Sequence, residues 1–133
     1  MISAKSRYAL KIMIFLTRRR GELTSVSMLS EGLGISHKYL EQLMTILKRG
    51  GYVEAVRGAY GGYRAVGSPE QYRVLDILRL MEGNIEPVEC IRDRNACAVG
   101  DGCALKSMWE KLWQAEKEVL ENYTVAALAY GDD

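Results

Sequence analysis

The sequence predicts a mainly α fold in which three helices and a two-stranded β wing precede one long C-terminal helix. Three observations carry that reading. Leu40, Leu43, Met44 and Leu47 stand at i, i+3, i+4 and i+7, the spacing that lays one apolar stripe along a helix. Two short runs, Tyr52 to Val56 and Tyr63 to Val66, flank Arg57-Gly58-Ala59-Tyr60-Gly61-Gly62, the composition of a glycine-rich hairpin. Finally, Leu105, Met108, Leu112, Trp113, Val119 and Leu120 recur along the stretch from Ala104 to Asn122.

Each element has a local reason. Lys5 to Thr17 reads as a first helix, with Tyr8, Ile12, Phe15 and Leu16 on one face and Ala9 and Met13 broadening it; Gly21 ends that region. Ser25 or Thr24 caps a second helix carrying Val26, Met28, Leu29 and Leu33, and Gly32 and Gly34 supply the break after it. Ser36 caps the third helix by accepting an orphan backbone N–H, and Gly50 and Gly51 stop it. After the hairpin, Gly67-Ser68-Pro69 makes a turn into a helix over Tyr72 to Glu82, with Val74, Leu75, Ile77, Leu78 and Met81 apolar. Periodicity then fails from Asn84 to about Gly102, which reads as a loop. The long helix follows, and Thr124 caps a short last one, Val125 to Tyr130. A helix so rich in large apolar groups needs a partner surface: pairing with a second chain is expected, the alternative being a fold-back onto the first helix.

Two short helices with a glycine-containing turn, then a hairpin, form a winged helix-turn-helix, and its polar face points to DNA. The third helix shows His37, Lys38, Glu41, Gln42, Thr45 and Lys48 opposite its apolar stripe, groups able to bond base edges or phosphates. Arg57 and Tyr60 stand at the hairpin tip. A short amphipathic helix before a hairpin also occurs in domains that never meet nucleic acid, so charge bears on the choice. Residues 1–66 carry 11 Lys/Arg against 4 Asp/Glu, a net of +7, whereas residues 67–133 carry 7 against 13, a net of −6. A basic front and an acidic rear suit a molecule that grips phosphates at one end. The run Arg18-Arg19-Arg20 is either solvated or part of that basic face.

The apolar run Ile12 to Leu16 is too short for a signal peptide and is followed by arginines, so a cytoplasmic protein is expected, with no membrane span. No Ser/His/Asp grouping, phosphate loop or paired carboxylates suggests an enzyme. All three cysteines, Cys90, Cys97 and Cys103, fall in the loop at C-x6-C-x5-C spacing. No CxxC pair is present, which disfavours a zinc finger. In a reducing compartment the thiols can hold an iron–sulfur cluster, hold another soft metal, or act as plain thiols that sense oxidation.

Taken together these segments resemble the IscR family of bacterial winged-helix transcription regulators, which includes NsrR- and CymR-type members. The resemblance rests on KSRYAL at 5–10, GISHKYLEQL at 34–43, GYVEAVRGAYGGYRA at 51–65, DILRLMEG at 76–83, the cysteine loop, and LWQAEKEVLENYTVAAL at 112–128. It covers nearly the whole chain. It implies a homodimer on a palindromic double-stranded operator, with the long helices crossing at the interface. It also implies that Cys90, Cys97 and Cys103 ligate an iron–sulfur cluster, commonly [2Fe–2S]. DNA contacts then fall on Lys38, Tyr39, Glu41 and Gln42 of the recognition helix and on Arg57 of the wing, with His37 and Tyr60 added from their chemistry. Glu41 is repelled by phosphate but accepts from cytosine N4, so it would reject sites lacking that donor.

The chain departs from the pattern at the fourth cluster ligand. Where IscR-type members have a histidine three residues after the last cysteine, Lys106 stands here; where NsrR-type members use an aspartate of the partner's first helix, Arg7 stands here. Glu89, Asp93, Asp101 or an exogenous thiol is left to complete the set. CymR-type members lack the cluster cysteines, and the wing RGAYGGY is close to theirs, so a cluster-free regulator sensing through thiols or a protein partner is the second reading. An iron–sulfur electron carrier with an incidental basic half is the third. The expected organisation is a DNA-binding domain over 1–83, a cysteine-bearing cluster loop over 84–103, and a dimerisation helix with a short C-terminal helix over 104–133.

Overall fold

The structure, a computed structural model, describes residues 2–93 and 103–131. Its elements are α1 (Ala4–Arg18), α2 (Val26–Leu33), α3 (His37–Arg49), β1 (Val53–Val56), β2 (Gly62–Ala65), a 3₁₀ turn (Pro69–Gln71), α4 (Val74–Glu82), α5 (Glu89–Arg92), α6 (Lys106–Asn122) and α7 (Val125–Tyr130). The mainly α winged helix-turn-helix is present as the sequence predicts.

Helix α1 is the spine: α2, α3, α4, α7 and β2 all pack on it. Its buried face is Ser6, Ala9, Ile12, Met13, Leu16 and Thr17. Tyr8 and Phe15, expected on that face, are only half-buried at its rim. Three of the six buried residues, Ser6, Ala9 and Thr17, are small. Phe15 instead lies over α2, where a Cβ on Gly32 would come within 2.6 Å of its ring. On α2 only Leu29 is buried, and Met28, expected in the core, is exposed.

The wing is pinned to this core by a feature with no periodic signature. Thr24, fully buried, exchanges two backbone hydrogen bonds of 2.8 Å with Tyr63 of β2, adding a one-residue third strand. Ser25, not Thr24, therefore caps α2, accepting from Met28 N at 3.1 Å. Strands β1 and β2 run antiparallel with Val53 opposite Ala65 and Val56 opposite Gly62. The paired glycines have steric reasons. A Cβ on Gly61 would lie 2.0 Å from Val56 O, and one on Gly62 would lie 2.4 Å from Thr24 O.

A second, smaller core joins Val74, Leu75, Leu78, Ile85 and Trp113. Here α4 meets α6, with the Arg79 guanidinium 5.6 Å from the Trp113 ring and 3.2 Å from Glu86. Trp113 is the one buried residue of α6. Leu105, Met108, Leu112 and Val119, at 51, 50, 41 and 55% exposure, face outward within this chain. Helix α6 packs chiefly on α4 and α5, with Leu10 of α1 touching the same small core, and α7 covers α1. Thr124 caps α7 and bridges to Arg73, with Val74 N donating to Tyr123 O and Val125 N to Tyr72 O. The stretch expected to be loop contains α5, which carries Cys90.

Candidate nucleic-acid interface

Helix α3 is held from one side. Ser36 Oγ accepts from Tyr39 N at 3.1 Å, and Leu40, Leu43, Met44 and Leu47 are buried on α1, α2 and β1. The break before it is built by Gly34, in the left-handed region at φ 68°, and by Ser30, whose hydroxyl donates to Ile35 O. With its apolar stripe fixed, the rotation of α3 about its axis is fixed too. His37, Lys38, Glu41, Gln42, Thr45 and Lys48 are therefore all exposed on one side. Arg49, which the pattern reading passed over, extends the exposed cations of the last turn. Its adjacency to Lys48 was the available signal.

Tyr39 differs from its neighbours. It is half-buried, and its ring meets that of Tyr8 edge-on at 6.0 Å, with the Lys11 ammonium 5.0 Å from Tyr8. Only part of the Tyr39 side chain is open to a ligand, and its ring steadies α3 on α1. The wing presents Arg57, exposed, and Tyr60, 95% exposed at its tip. Glu54 and Arg64, opposite each other on β1 and β2, neutralise one another in an ion pair. Among the described residues, Lys38, Lys48, Arg49 and Arg57 have no carboxylate partner, which leaves these cations available to phosphate.

The arginines at the end of α1 have partners within the chain. Arg18 donates to Ala129 O at 2.9 Å, Arg19 to Thr24 Oγ1 at 3.2 Å, and Arg20 stacks 5.5 Å from the Tyr130 ring. These side chains tie α1 to α7 and to the wing root.

Of the cysteines, Cys90 on α5 and Cys103 just ahead of α6 are half-buried free thiols; Cys97 lies outside the described residues. Among the described residues no group of three or more His, Cys, Asp or Glu side chains is placed to hold a metal ion. A [2Fe–2S] cluster takes four ligands, one more than the three cysteines of the sequence. Lys106 begins α6 and, as an ammonium, has no lone pair to offer; Arg7 is exposed on α1; Asp101 lies outside the described residues. His37, the sole histidine, belongs to the exposed face of α3.

A capped, one-side-buried helix with an open polar face beside a basic wing defines the class: a winged helix-turn-helix transcriptional regulator. The chain belongs to the Rrf2 family, described as an iron-dependent transcriptional regulator, which it matches over residues 2–131. It is 40% identical over 129 residues to the transcriptional regulator CymR of Bacillus subtilis strain 168, spanning 96% of this chain and 88% of that one. The solved structure of B. subtilis CymR, titled the global cysteine regulator, superposes with a TM-score of 0.82 at 38% identity, covering 100% of this chain and 98% of the other. T. potens IscR gives 0.78 at 32% identity, covering 100% and 88%. These relatives are regulators of transcription, and this chain is a regulator, not an enzyme. No described helix is long and apolar enough to cross a membrane.

Proposed function

We propose that the chain acts as a cytoplasmic homodimer on a palindromic duplex element, one α3 in each of two successive major grooves. The observation that carries this is the division of α3: Leu40, Leu43, Met44 and Leu47 are at most 2% exposed, while His37, Lys38, Glu41 and Gln42 stand open beside Arg57 and Tyr60 of the wing. Lys38 and Arg57 hold phosphates and set register, Gln42 and His37 bond base edges, and Glu41 selects for a cytosine N4 donor. Tyr39 supplies its exposed edge, and Tyr60 reaches the backbone or minor groove next to the wing. The outward apolar face of α6 supports two-fold pairing with a second copy, which matches the symmetry of a palindrome. The expected division of labour is DNA binding by 1–83, sensing by 84–103 and dimerisation by 104–133.

In this reading the sensor is the cysteine loop, Cys90, Cys97 and Cys103 holding an iron–sulfur cluster, [2Fe–2S] being the expected type. The iron-dependent description of the family and the likeness to T. potens IscR support it. A second reading, sensing by bare thiols or through a protein partner, is favoured by the 40% identity to CymR.

Selection of random duplexes by the anaerobically purified protein, with and without iron, tests the DNA reading. A palindromic consensus is expected, bound with an affinity that falls steeply with salt; no preference over random competitor in either state overturns it. Visible absorption of the same sample separates the two sensors, since a colourless protein without bound iron after reconstitution leaves only the thiols.

A further inference from the structure

Where the end of α1, the root of the wing and α7 meet, a cavity of about 350 Å³ is lined by Thr17, Arg20, Ala65, Gly67, Glu70 and Tyr130, among others. It is separate from the open face of α3 and from the cysteines. Its volume is at the small end of ligand pockets, too small for a nucleotide cofactor and sufficient for a metabolite of a few heavy atoms.

Three features give it a chemical preference. Arg20 and Glu70, from two different elements, share its lining, yet neither forms an ion pair with the other or with any described residue. The guanidinium lies over the Tyr130 ring, which leaves its N–H edge free, and the Glu70 carboxylate accepts from the Ser68 hydroxyl and from its own backbone N–H. Secondly, Thr17 is 4% exposed and its Oγ1 has no hydrogen-bond partner, though buried hydroxyls are nearly always paired. Thirdly, the Tyr72 hydroxyl is likewise buried and unpartnered, and lies against Gly67 of the lining: a Cβ there would come 3.2 Å from it. An exposed cation and an exposed carboxylate on one small open pocket, with one unpaired hydroxyl in its lining and another behind Gly67, match a ligand carrying both charges.

We propose that this cavity binds a small zwitterion of the amino-acid class, its carboxylate on Arg20 and its ammonium on Glu70. Thr17 of the lining then supplies a neutral hydrogen bond. Such an occupant would touch the end of α1, the turn after β2 and α7 at once, and so would brace the wing root against the helical core.

The test needs no DNA, so its outcome is independent of the operator reading. The full-length protein, labelled with ¹⁵N, is titrated with L-alanine, with acetate and methylammonium as half-ligands. Saturable amide shifts at Thr17, Gly67 and Glu70 are expected with alanine, and each half-ligand should bind at least about tenfold more weakly, the loss of one charge-assisted contact. Arg20→Gln and Glu70→Gln should each weaken alanine by a similar factor. Thr17→Val should weaken it too while raising the unfolding temperature of the free protein, because it removes an unpaired buried hydroxyl. Absence of saturable shifts overturns the proposal. So does acetate binding as tightly as alanine, which would mark an anion site, or alanine affinity unchanged in both charge variants.

Discussion

Replacing Gly62 by alanine tests whether the wing is anchored through Thr24. An added Cβ would stand 2.4 Å from Thr24 O and 2.7 Å from Thr24 C, both backbone atoms with no rotamer to yield. Restoring an ordinary contact of about 3.5 Å requires β2 to retreat by roughly 1 Å. That displacement breaks the two 2.8 Å hydrogen bonds between Thr24 and Tyr63. Each bond contributes about 1 kcal/mol net, and Thr24 groups left buried without partners add to the loss, for about 2–4 kcal/mol in all. Gly58→Ala is the control: its φ of +117° disfavours a side chain, but nothing lies within 4 Å of the new Cβ. It should therefore carry only a backbone penalty of about 1–2 kcal/mol. Urea unfolding at fixed protein concentration gives the energies, and amide exchange at Thr24 and Tyr63 gives the location. Exchange at both amides should accelerate in Gly62→Ala and stay slow in Gly58→Ala. Equal protection of these two amides in both variants would refute the anchoring argument.

Trp113→Ala should destabilise the protein by about 3–5 kcal/mol, since it empties the second core where α4 and α6 meet; chemical denaturation reads it directly. Leu112→Asp combined with Val119→Asp should leave the protomer folded and shift the sedimentation coefficient from dimer to monomer, because both side chains face outward; an unchanged dimer would place the interface elsewhere. Glu82 accepts from Ser3 N at 2.8 Å and from the hydroxyls of Ser3 and Ser6. Desolvation pushes its carboxyl up, but these hydrogen bonds outweigh it and hold the group below its ordinary value. A carboxyl lowered in the folded state stabilises fully above its unfolded pKa, and that contribution is lost as pH falls through the folded value. Glu82→Gln should flatten the acid limb of a melting-temperature profile, and a parallel downward shift at every pH would show that the charge is not what matters.

What could be read from the sequence divides along a physical line. Helix α3 was legible because everything that makes it is local: a serine cap, a clean stripe and two glycines. Its exposed face followed at once from the buried one, and with it the placement of His37, Lys38, Glu41 and Gln42. For α1 the large side chains Tyr8 and Phe15 drew the predicted face toward themselves, whereas the buried face also takes in the small residues Ser6, Ala9 and Thr17. Residue size is a poor guide to burial where packing is tight. The apolar stripe of α6 was visible, but a stripe does not say which members meet the same chain; Trp113 does, and Leu112 beside it does not. Nor does a run of arginines reveal that Arg18, Arg19 and Arg20 find a carbonyl, a hydroxyl and a ring up to 111 residues away. The Thr24–Tyr63 bridge has no local signature at all, being a single residue in extended geometry.

The seat of α7 on α1 has a consequence for how the molecule can be taken apart. Helix α7 fills the space against α1, and its N-cap Thr124 is laced to Arg73 at the entrance of α4. The first and last described helices thus pack on each other, and α6 packs on α4 and α5. Shortening the tail by its final helix would strip Val125, Ala126 and Ala129 from the interior and loosen the spine on which α3 rides. Among the described residues α6 is joined to α3 through α4, which packs on both.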